Sequence, residues 1–361
     1  MLLLKKISLT QFKNYDSRSF EFANRVVAIT GRNGTGKTNL IDAVHYLCFT
    51  KSYFTGTDAQ TVQFSTDGFR IEGIFEKQGE EQKVVDVYRG NGKKEILLNE
   101  VSYEKFSSHI GKFTCVMVAP DDVELIIGGS EERRKFLDTM LAQLDADYLQ
   151  QLISYTKILQ QRNSLLKSFA ETGKTDWGLL DVIDYQLLHP CSTIFTKRRD
   201  FLEAFIPLVQ KTYVDIADNN EEVTIQYESQ LKQYSFESLI EQYRQKDFAL
   251  QRTHAGIHKD DLNINLNGQN FKTTASQGQR KSLLFALKLA EFEVLKNKKG
   301  FAPLLLLDDI FEKLDNERMN NLLKKVCVEN DVQVFITDTH EERIKKSLGM
   351  LNVPFQIVHL T

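Results

Sequence analysis

The segment Gly31-Arg32-Asn33-Gly34-Thr35-Gly36-Lys37-Thr38 constrains the fold of this chain more than any other stretch. It follows the apolar run Val26-Val27-Ala28-Ile29 and leads into Asn39-Leu40-Ile41-Asp42-Ala43-Val44, so the local order is strand, glycine loop, helix. A phosphate chain is held by backbone N–H groups that converge with no Cβ in the way. Gly31, Gly34 and Gly36 give the loop that freedom, and the positive end of the helix dipole lies behind it. In this G-x-x-x-x-G-K-[ST] pattern Arg32, Asn33 and Thr35 complete the cradle, the Lys37 ammonium is expected on the β and γ phosphates, and the Thr38 hydroxyl on Mg²⁺. A glycine turn that happens to precede a lysine is the competing explanation, and the flanking strand and helix weigh against it. The expected fold class is α/β, built around a P-loop.

At 361 residues and 42% hydrophobic, the chain is long enough for two or three structural units, each with a core. A net charge of −3 excludes a protein coated in basic charge, so any nucleic-acid contact has to come from local patches. The cysteines Cys48, Cys115, Cys191 and Cys327 lie far apart without a C-x-x-C pair. That fits reduced thiols in a core rather than a zinc site or a disulfide frame. Met1-Leu2-Leu3-Leu4 precedes Lys5-Lys6, the reverse of a signal peptide's order, and no apolar run approaches the ~20 residues of a membrane span. The expected location is cytoplasmic, with no membrane partner.

Apolar residues from 2 to 9 and the short run 20–22 read as strands that enter the glycine loop. Segments 69–75 and 84–88 alternate with period two, and Asn91-Gly92 signals a hairpin before Ile96-Leu97-Leu98, which predicts an antiparallel β layer. Residues 113–118 form a further strand, and Pro120-Asp121-Asp122 opens a helix. From 130 to 218 the spacing is helical, with a break at Gly173 and Trp177-Gly178, and Pro190 is expected to kink or end the helix that begins near Leu179. The longest uninterrupted candidate, 146–170, spans only ~38 Å, too short for a long coiled-coil arm. Strand spacing returns at 223–227, a helix is expected at 236–250, and Leu262, Ile264 and Leu266 alternate into an Asn267-Gly268 turn. The expected division is a head formed by 1–125 and 222–361 with an inserted helical domain at 126–221.

Near the other end, Pro303-Leu304-Leu305-Leu306-Leu307-Asp308-Asp309 is a buried strand that ends in two carboxylates, the form of a Walker B segment. Asp308 is expected to hold Mg²⁺, usually through water, and Asp309 to act as general base toward the attacking water. About thirty residues earlier, Ser276-Gln277-Gly278-Gln279 opens an apolar helix and resembles the signature loop of ABC-type ATPases. That helix, taken as 278–296, is ~28 Å long, and the strand back to Asp308 recovers only ~16 Å. The loop is therefore expected to complete the nucleotide site of a second copy. About 270 residues separate Thr38 from Asp308. The head must be assembled from both ends of the chain, as in the SMC-like branch of ABC-type ATPases.

With those residues in hand, the chain resembles the RecF family of bacterial DNA replication and repair ATPases. The resemblance runs nearly end to end: Leu9-Thr10-Gln11-Phe12-Lys13-Asn14-Tyr15, residues 31–40, Ala119-Pro120-Asp121-Asp122, Arg133-Arg134-Lys135-Phe136-Leu137-Asp138, Gln161-Arg162-Asn163-Ser164-Leu165-Leu166-Lys167, His258-Lys259-Asp260-Asp261-Leu262, 276–280 and 304–315. It implies an ATP-dependent homodimer with weak ATPase activity that binds DNA near single-strand/double-strand junctions. It further implies work with RecR and RecO in loading RecA. Residues 31–38 would bind the phosphates, Thr38 and Asp308 the metal, and 276–279 the partner's nucleotide, while Asp315 stands in the dimer-contacting D-loop. Gln63 lies near a Q-loop position, and the switch position after Val334-Phe335-Ile336-Thr337 is Asp338, with His340 two residues late, so the sensor assignment stays open.

The basic clusters Lys93-Lys94, Arg133-Arg134-Lys135 and Lys197-Arg198-Arg199 are candidate DNA contacts or solvated faces. Two rival functions remain: an ABC transporter's nucleotide-binding subunit and a structural SMC-type chromosome protein. The helical insertion and the distant Walker halves argue against the first, and the short arm against the second.

Overall fold

The computed structural model describes residues 1–217, 221–310 and 316–361. The chain opens with β1 (Leu2–Phe12) and β2 (Tyr15–Glu21), an antiparallel pair whose connecting turn holds Lys13 at a φ of 51°. β3 (Val26–Gly31) is buried at every residue and feeds the loop before α1 (Lys37–Phe49). β4 (Gly68–Lys77), β5 (Glu80–Arg89), β6 (Lys94–Leu98) and β7 (Val101–Ser102) extend an antiparallel sheet ordered β2-β1-β4-β5-β6-β7. Its alternation puts Phe69, Ile71 and Phe75 into one core with Val44 and Leu47 of α1. The Asn91-Gly92 turn joins β5 to β6 as the sequence predicts. β8 (Cys115–Val118) follows, fully buried.

A second compact unit then begins, with α2 (Glu124–Ile127), α3 (Ser130–Leu144), α4 (Ala146–Thr172) and α5 (Trp177–Ala217). The Asp145 carboxylate accepts from the N–H groups of Asp147 and Tyr148 to start α4, and Gly173 at a φ of 69° ends it. The helix does not end at Pro190: α5 runs 41 residues with Pro190 and Pro207 inside it, and it replaces 146–170 as the longest helix among the described residues. Each proline removes one backbone donor at a cost of about 3 kcal/mol in an isolated helix. Leu187, Cys191, Ile194, Phe205 and Val209 are all buried on either side of the two prolines, and that packing outweighs the loss.

β9 (Val223–Glu228), α6 (Phe236–Leu250), β10 (Asp261–Leu266), β11 (Gln269–Asn270) and α7 (Phe271–Thr274) complete this unit, the strands in the order β11-β10-β9. It comprises Glu124–Lys211 and Asn220–Ser276, whereas the first unit comprises Met1–Val123, Thr212–Asn219 and Gln277–Thr361. The return to the head therefore falls at Gln277 and not at the expected residue 222. The reason is electrostatic as well as topological. Arg133 binds Asp261 at 2.6 Å, and the buried Arg198 binds Asp260 at 2.9 Å and Asp138 at 2.7 Å, which fastens β10 to α3 and α5. A second buried arginine, Arg162 of α4, reaches Asp184 of α5 at 2.5 Å, Asp247 of α6 at 2.7 Å and Thr253 at 2.9 Å.

The first unit resumes with α8 (Gln277–Lys299), β12 (Leu304–Leu307), α9 (Asn316–Leu323), β13 (Val334–Asp338), α10 (Glu341–Met350) and β14 (Phe355–Leu360). A parallel sheet ordered β14-β3-β13-β12-β8 interleaves strands from both ends of the chain. α8 carries two ionisable groups into this core. Lys288 Nζ lies 3.3 Å from Asp122 and 3.4 Å from the Tyr53 hydroxyl. Burial, only partly opposed by the Lys288 charge, pushes the Glu291 carboxyl up to about 7.

Two stability predictions follow from these buried charges. Replacing Arg162 by Ala leaves Asp184 and Asp247 without their cation, and urea denaturation should show a loss of about 3–5 kcal/mol. Because folded Glu291 keeps its proton to about 7 and the unfolded chain releases it near the ordinary 4.5, native stability falls as pH rises through that window. Glu291→Gln removes that dependence, so the free energy of unfolding from urea denaturation, variant minus parent, should rise by about 2–3 kcal/mol between mildly acidic and mildly basic pH.

Candidate functional site

Parallel pairing brings the carboxyl ends of β3, β13 and β12 to one edge of the sheet, with Thr30 beside Asp338 and Ile336 beside Leu307. The glycine loop rises from β3 at this edge. Gly36 stands at a φ of 103°, and a Cβ there would lie 2.7–2.9 Å from the Asn14 amide and the Tyr15 hydroxyl. The Tyr15 hydroxyl donates to the Gly36 carbonyl at 3.0 Å, and Asn39 donates to the Asn14 side chain at 2.7 Å. The β1–β2 turn thus braces the loop, a role that the Lys13-Asn14-Tyr15 triplet did not disclose in the sequence. At Gly31 a Cβ would meet the Leu360 carbonyl oxygen at 2.4 Å, so β14 also closes on the loop.

Lys37 is buried, and its Nζ donates to the Gly31 and Arg32 carbonyls at 2.9 and 3.0 Å. Thr35 Oγ1 donates to the Arg32 carbonyl at 2.9 Å, while Arg32, Asn33 and Gly34 are exposed at the tip. The loop is therefore curled around the ammonium group that the motif assigns to phosphate.

Thr38 Oγ1 donates to the Asp308 carboxylate at 3.0 and 3.2 Å, joining the two Walker segments across the chain. Thr337, on the strand between them, donates from Oγ1 to Asp308 at 2.7 Å, and the same oxygen accepts the Asp309 N–H at 2.8 Å. Burial raises the Asp308 pKa above the ordinary carboxylate range, the Asp309 charge adds to that, and the two threonine hydroxyls act against it. A buried carboxylate with this bias and a neighbouring hydroxyl is a set of hard oxygen donors suited to a small divalent cation. Asp309 occupies a left-handed conformation at a φ of 49°.

The remaining sequence candidates divide sharply. Gln277 opens α8 directly after Ser276, and with Gly278 and Gln279 it forms that helix's first turn. Gln277, Arg280 and Lys281 line a mainly apolar cavity of about 230 Å³ with Asp308, Pro120 and Leu284. The backbone of Gln63 is tied to β1, its N–H donating to the Gln11 carbonyl at 2.9 Å. Asp338 is buried and accepts from Arg343 at 2.6 and 2.8 Å and from the His340 N–H at 2.9 Å. It braces the start of α10, while the His340 side chain is exposed. Asp315 lies outside the described residues.

The basic clusters are largely consumed internally. Arg133 and Arg198 hold Asp261 and Asp260, Lys197 binds Asp145 and Asp147, Arg199 binds Asp200, and Lys94 binds Asp58 at 2.9 Å. Lys93 and Lys135 are exposed. These clusters thus carry internal ion pairs as well as solvent-facing charge.

Residues 3–106 match the family model described as the RecF/RecN/SMC N terminal domain. The fold is similar to the Smc head domain of Pyrococcus furiosus, with a TM-score of 0.56 at 15% identity over 100% of this chain and 94% of that one. Split P-loop site, two sheets and helical insertion together define an ABC/SMC-type ATPase head fold. Among curated proteins, the DNA replication and repair protein RecF of Flavobacterium johnsoniae is 40% identical over 99% of both chains. The RecF of Bacteroides thetaiotaomicron is 39% identical over 99% of this chain and 96% of its own. The solved structure of the recombination mediator protein RecF-ATP in the RecFOR pathway superposes with a TM-score of 0.87 at 31% identity, covering 94% of this chain and 92% of that one. The chain belongs to the RecF family of DNA replication and repair proteins.

The brace on Gly36 is directly testable. Gly36→Ala combines a disfavoured φ with a clash against Asn14 and Tyr15 and should cost about 2–4 kcal/mol in urea denaturation. Gly34→Ala, at a φ of 83° but with nothing within 4 Å of the added methyl, should cost only about 1 kcal/mol.

Proposed function

We propose that this chain is an ATP-dependent DNA-binding protein of recombinational repair and replication-fork maintenance, a weak ATPase that works as a nucleotide-joined homodimer in the cytoplasm. The observation that carries the reading is the Thr38–Asp308 hydrogen bond. It brings a Walker A hydroxyl and a Walker B carboxylate together from opposite ends of a family member's chain. The RecF-ATP structure, 31% identical, supports ATP as the nucleotide.

Bound Mg²⁺, held by Thr38 and Asp308, would supply charge neutralisation to the triphosphate. The residues of this chain are prepared for it. Backbone N–H groups of residues 31–38 would face the phosphates, and Lys37 would exchange its two loop carbonyls for phosphate oxygens. Thr38 and Asp308 would hold the metal, and burial of Asp308 favours that exchange because a nearby cation stabilises the carboxylate. Asp309 would orient and deprotonate the attacking water. Thr337 acts as a positioning residue, fixing the Asp308 carboxylate and the Asp309 backbone at once. The 276–279 loop would complete the site of a second copy, so that the triphosphate joins two heads. Closure would present paired surfaces to duplex DNA near single-strand/double-strand gaps, and hydrolysis would release it. Work with RecR and RecO in loading RecA is part of this proposal, supported by family membership and by the RecFOR pathway named for the solved relative. Among the described residues, no helix is long and apolar enough to cross a membrane.

Molecular mass measured with and without ATP, and with gapped, duplex or single-stranded DNA, tests the reading. The parent should double in mass with ATP and bind DNA, and Lys37→Met should do neither. A parent that saturates with ATP and stays single, with or without DNA, would overturn the dimer. Single-turnover hydrolysis should fall about 100-fold or more in Asp309→Asn, in line with loss of a general base. It should fall about tenfold in Thr337→Val and stay near parental in Thr337→Ser, with kcat changing more than KM.

A further inference from the structure

The sequence-local basic runs are spent on internal ion pairs, yet the second unit gathers other basic residues that are far apart in sequence. Residues 251–260 form a loop that is pinned from below. Thr253 donates from its N–H and its hydroxyl to Asn163 Oδ1, both at 2.8 Å, and its hydroxyl accepts from Arg162 at 2.9 Å. His254 is held by Asp247 at 2.9 Å, His258 by the Tyr155 hydroxyl at 2.7 Å and the Thr253 carbonyl at 3.1 Å, and the Ile257 carbonyl by Arg198 at 2.9 Å. Every one of these anchors points inward. Arg252 and Lys259 are left exposed on the outer side, with Lys246 exposed on α6.

These side chains are close neighbours. Arg252 Nε donates to His254 Nε2 at 3.2 Å, and Arg134 donates to the Asp260 carbonyl at 2.7 Å. Burial lowers the Lys259 pKa and the charges of Arg252 and Arg134 lower it further; Asp247 acts against them, and Lys246 adds a smaller lowering. Asp247 is already taken by Arg162 at 2.7 Å, Asp260 by Arg198 at 2.9 Å, and Asp261 by Arg133 at 2.6 Å. Arg252, Lys259 and Lys246 form no ion pair with a described carboxylate, whereas Arg133, Arg162, Arg198 and Lys197 all do. A rigid loop that holds like charges together without internal compensation favours an external polyanion, since bringing a phosphate there relieves the repulsion and releases counterions.

We infer that Arg252, Lys259 and Lys246, with Arg134 and His254 at their base, form a phosphate-binding surface of the helical unit that takes the backbone of duplex DNA. The inference rests on the DNA-binding reading above and adds to it the residues that make contact. Phosphate contacts of this kind contribute affinity without sequence preference.

The test is duplex binding by the ATP-bound parent across a salt series, followed by fluorescence anisotropy. Arg252→Ala with Lys259→Ala should weaken binding at least tenfold and reduce the slope of log affinity against log salt by ~2, one for each lost phosphate contact. Lys246→Ala alone should reduce it by ~1. The pair Arg252→Lys with Lys259→Arg, which keeps the charges, should bind like the parent, as should Lys174→Ala elsewhere on the unit. Urea midpoint and ATP-driven mass should match the parent in every variant. Parental affinity and slope in the double alanine variant would overturn the inference and leave the DNA-binding function standing. A charge-keeping pair as weak as the alanine pair would also overturn it, by making the effect structural. A parent that binds no DNA would remove the functional reading itself, and this surface with it.

Discussion

The first unit depends on one junction: the hydroxyl of Thr38 against the carboxylate of Asp308, with Thr337 holding that carboxylate from the strand between. Residues about 270 positions apart meet there because β3 is hydrogen-bonded on one side to β13 and on the other to β14. The N-terminal strand that carries the glycine loop is thus sealed in by the C-terminal third of the chain. Local strand formation at 26–31 is consistent with its apolar sequence, but its burial at every residue requires both later strands to be in place. The setting of the glycine loop is therefore a product of long-range closure, and its bracing by Asn14, Tyr15 and Leu360 draws on both ends of the sequence.

Buried charge gives each unit much of its internal order. In the helical unit Arg162 and Arg198 stand at the centre of separate networks that join helices α4, α5 and α6 and tie α3 and α5 to β10. Such networks add little net stability relative to apolar packing, but removing one partner is costly, so they specify one arrangement of helices over its alternatives. In the first unit Lys288, Asp122, Tyr53 and Glu291 make a comparable cluster on the helix that opens with the S-Q-G-Q turn. The acids that absorb Arg133, Arg198 and Lys197 all lie at least 50 positions away in sequence. A count of basic residues in a window therefore cannot tell a DNA-facing patch from a structural one.

Much of the fold was legible because its elements have sharp local signals. Period-two alternation marked β4 and β5, Asn91-Gly92 and Asn267-Gly268 marked the two hairpins, and Gly173 marked the end of α4. The glycine loop and the Leu304–Leu307 strand with its two aspartates located both halves of the site. Local signals misled where packing overrode them. Pro190 and Pro207 did not break α5, because buried side chains before and after each proline hold the helix together. The inserted unit also proved larger than helical spacing alone indicated, since β9 to β11 pair only with one another and are fastened to α3 and α5 by arginine–aspartate pairs.

By itself the sequence determined the glycine loop, the paired acids, the alternation of layers and the family, all of which reside in short contiguous patterns whose backbone chemistry is local. Tertiary structure decided the rest. It chose Thr337 as the link between the Walker acids, made Asp338 a brace for α10, spent the obvious basic runs on internal partners, and collected Arg252, Lys259 and Lys246 on one surface. Each of those outcomes depends on which charges and hydroxyls meet across the fold, and electrostatic energy falls off with distance in space, whatever the separation along the chain.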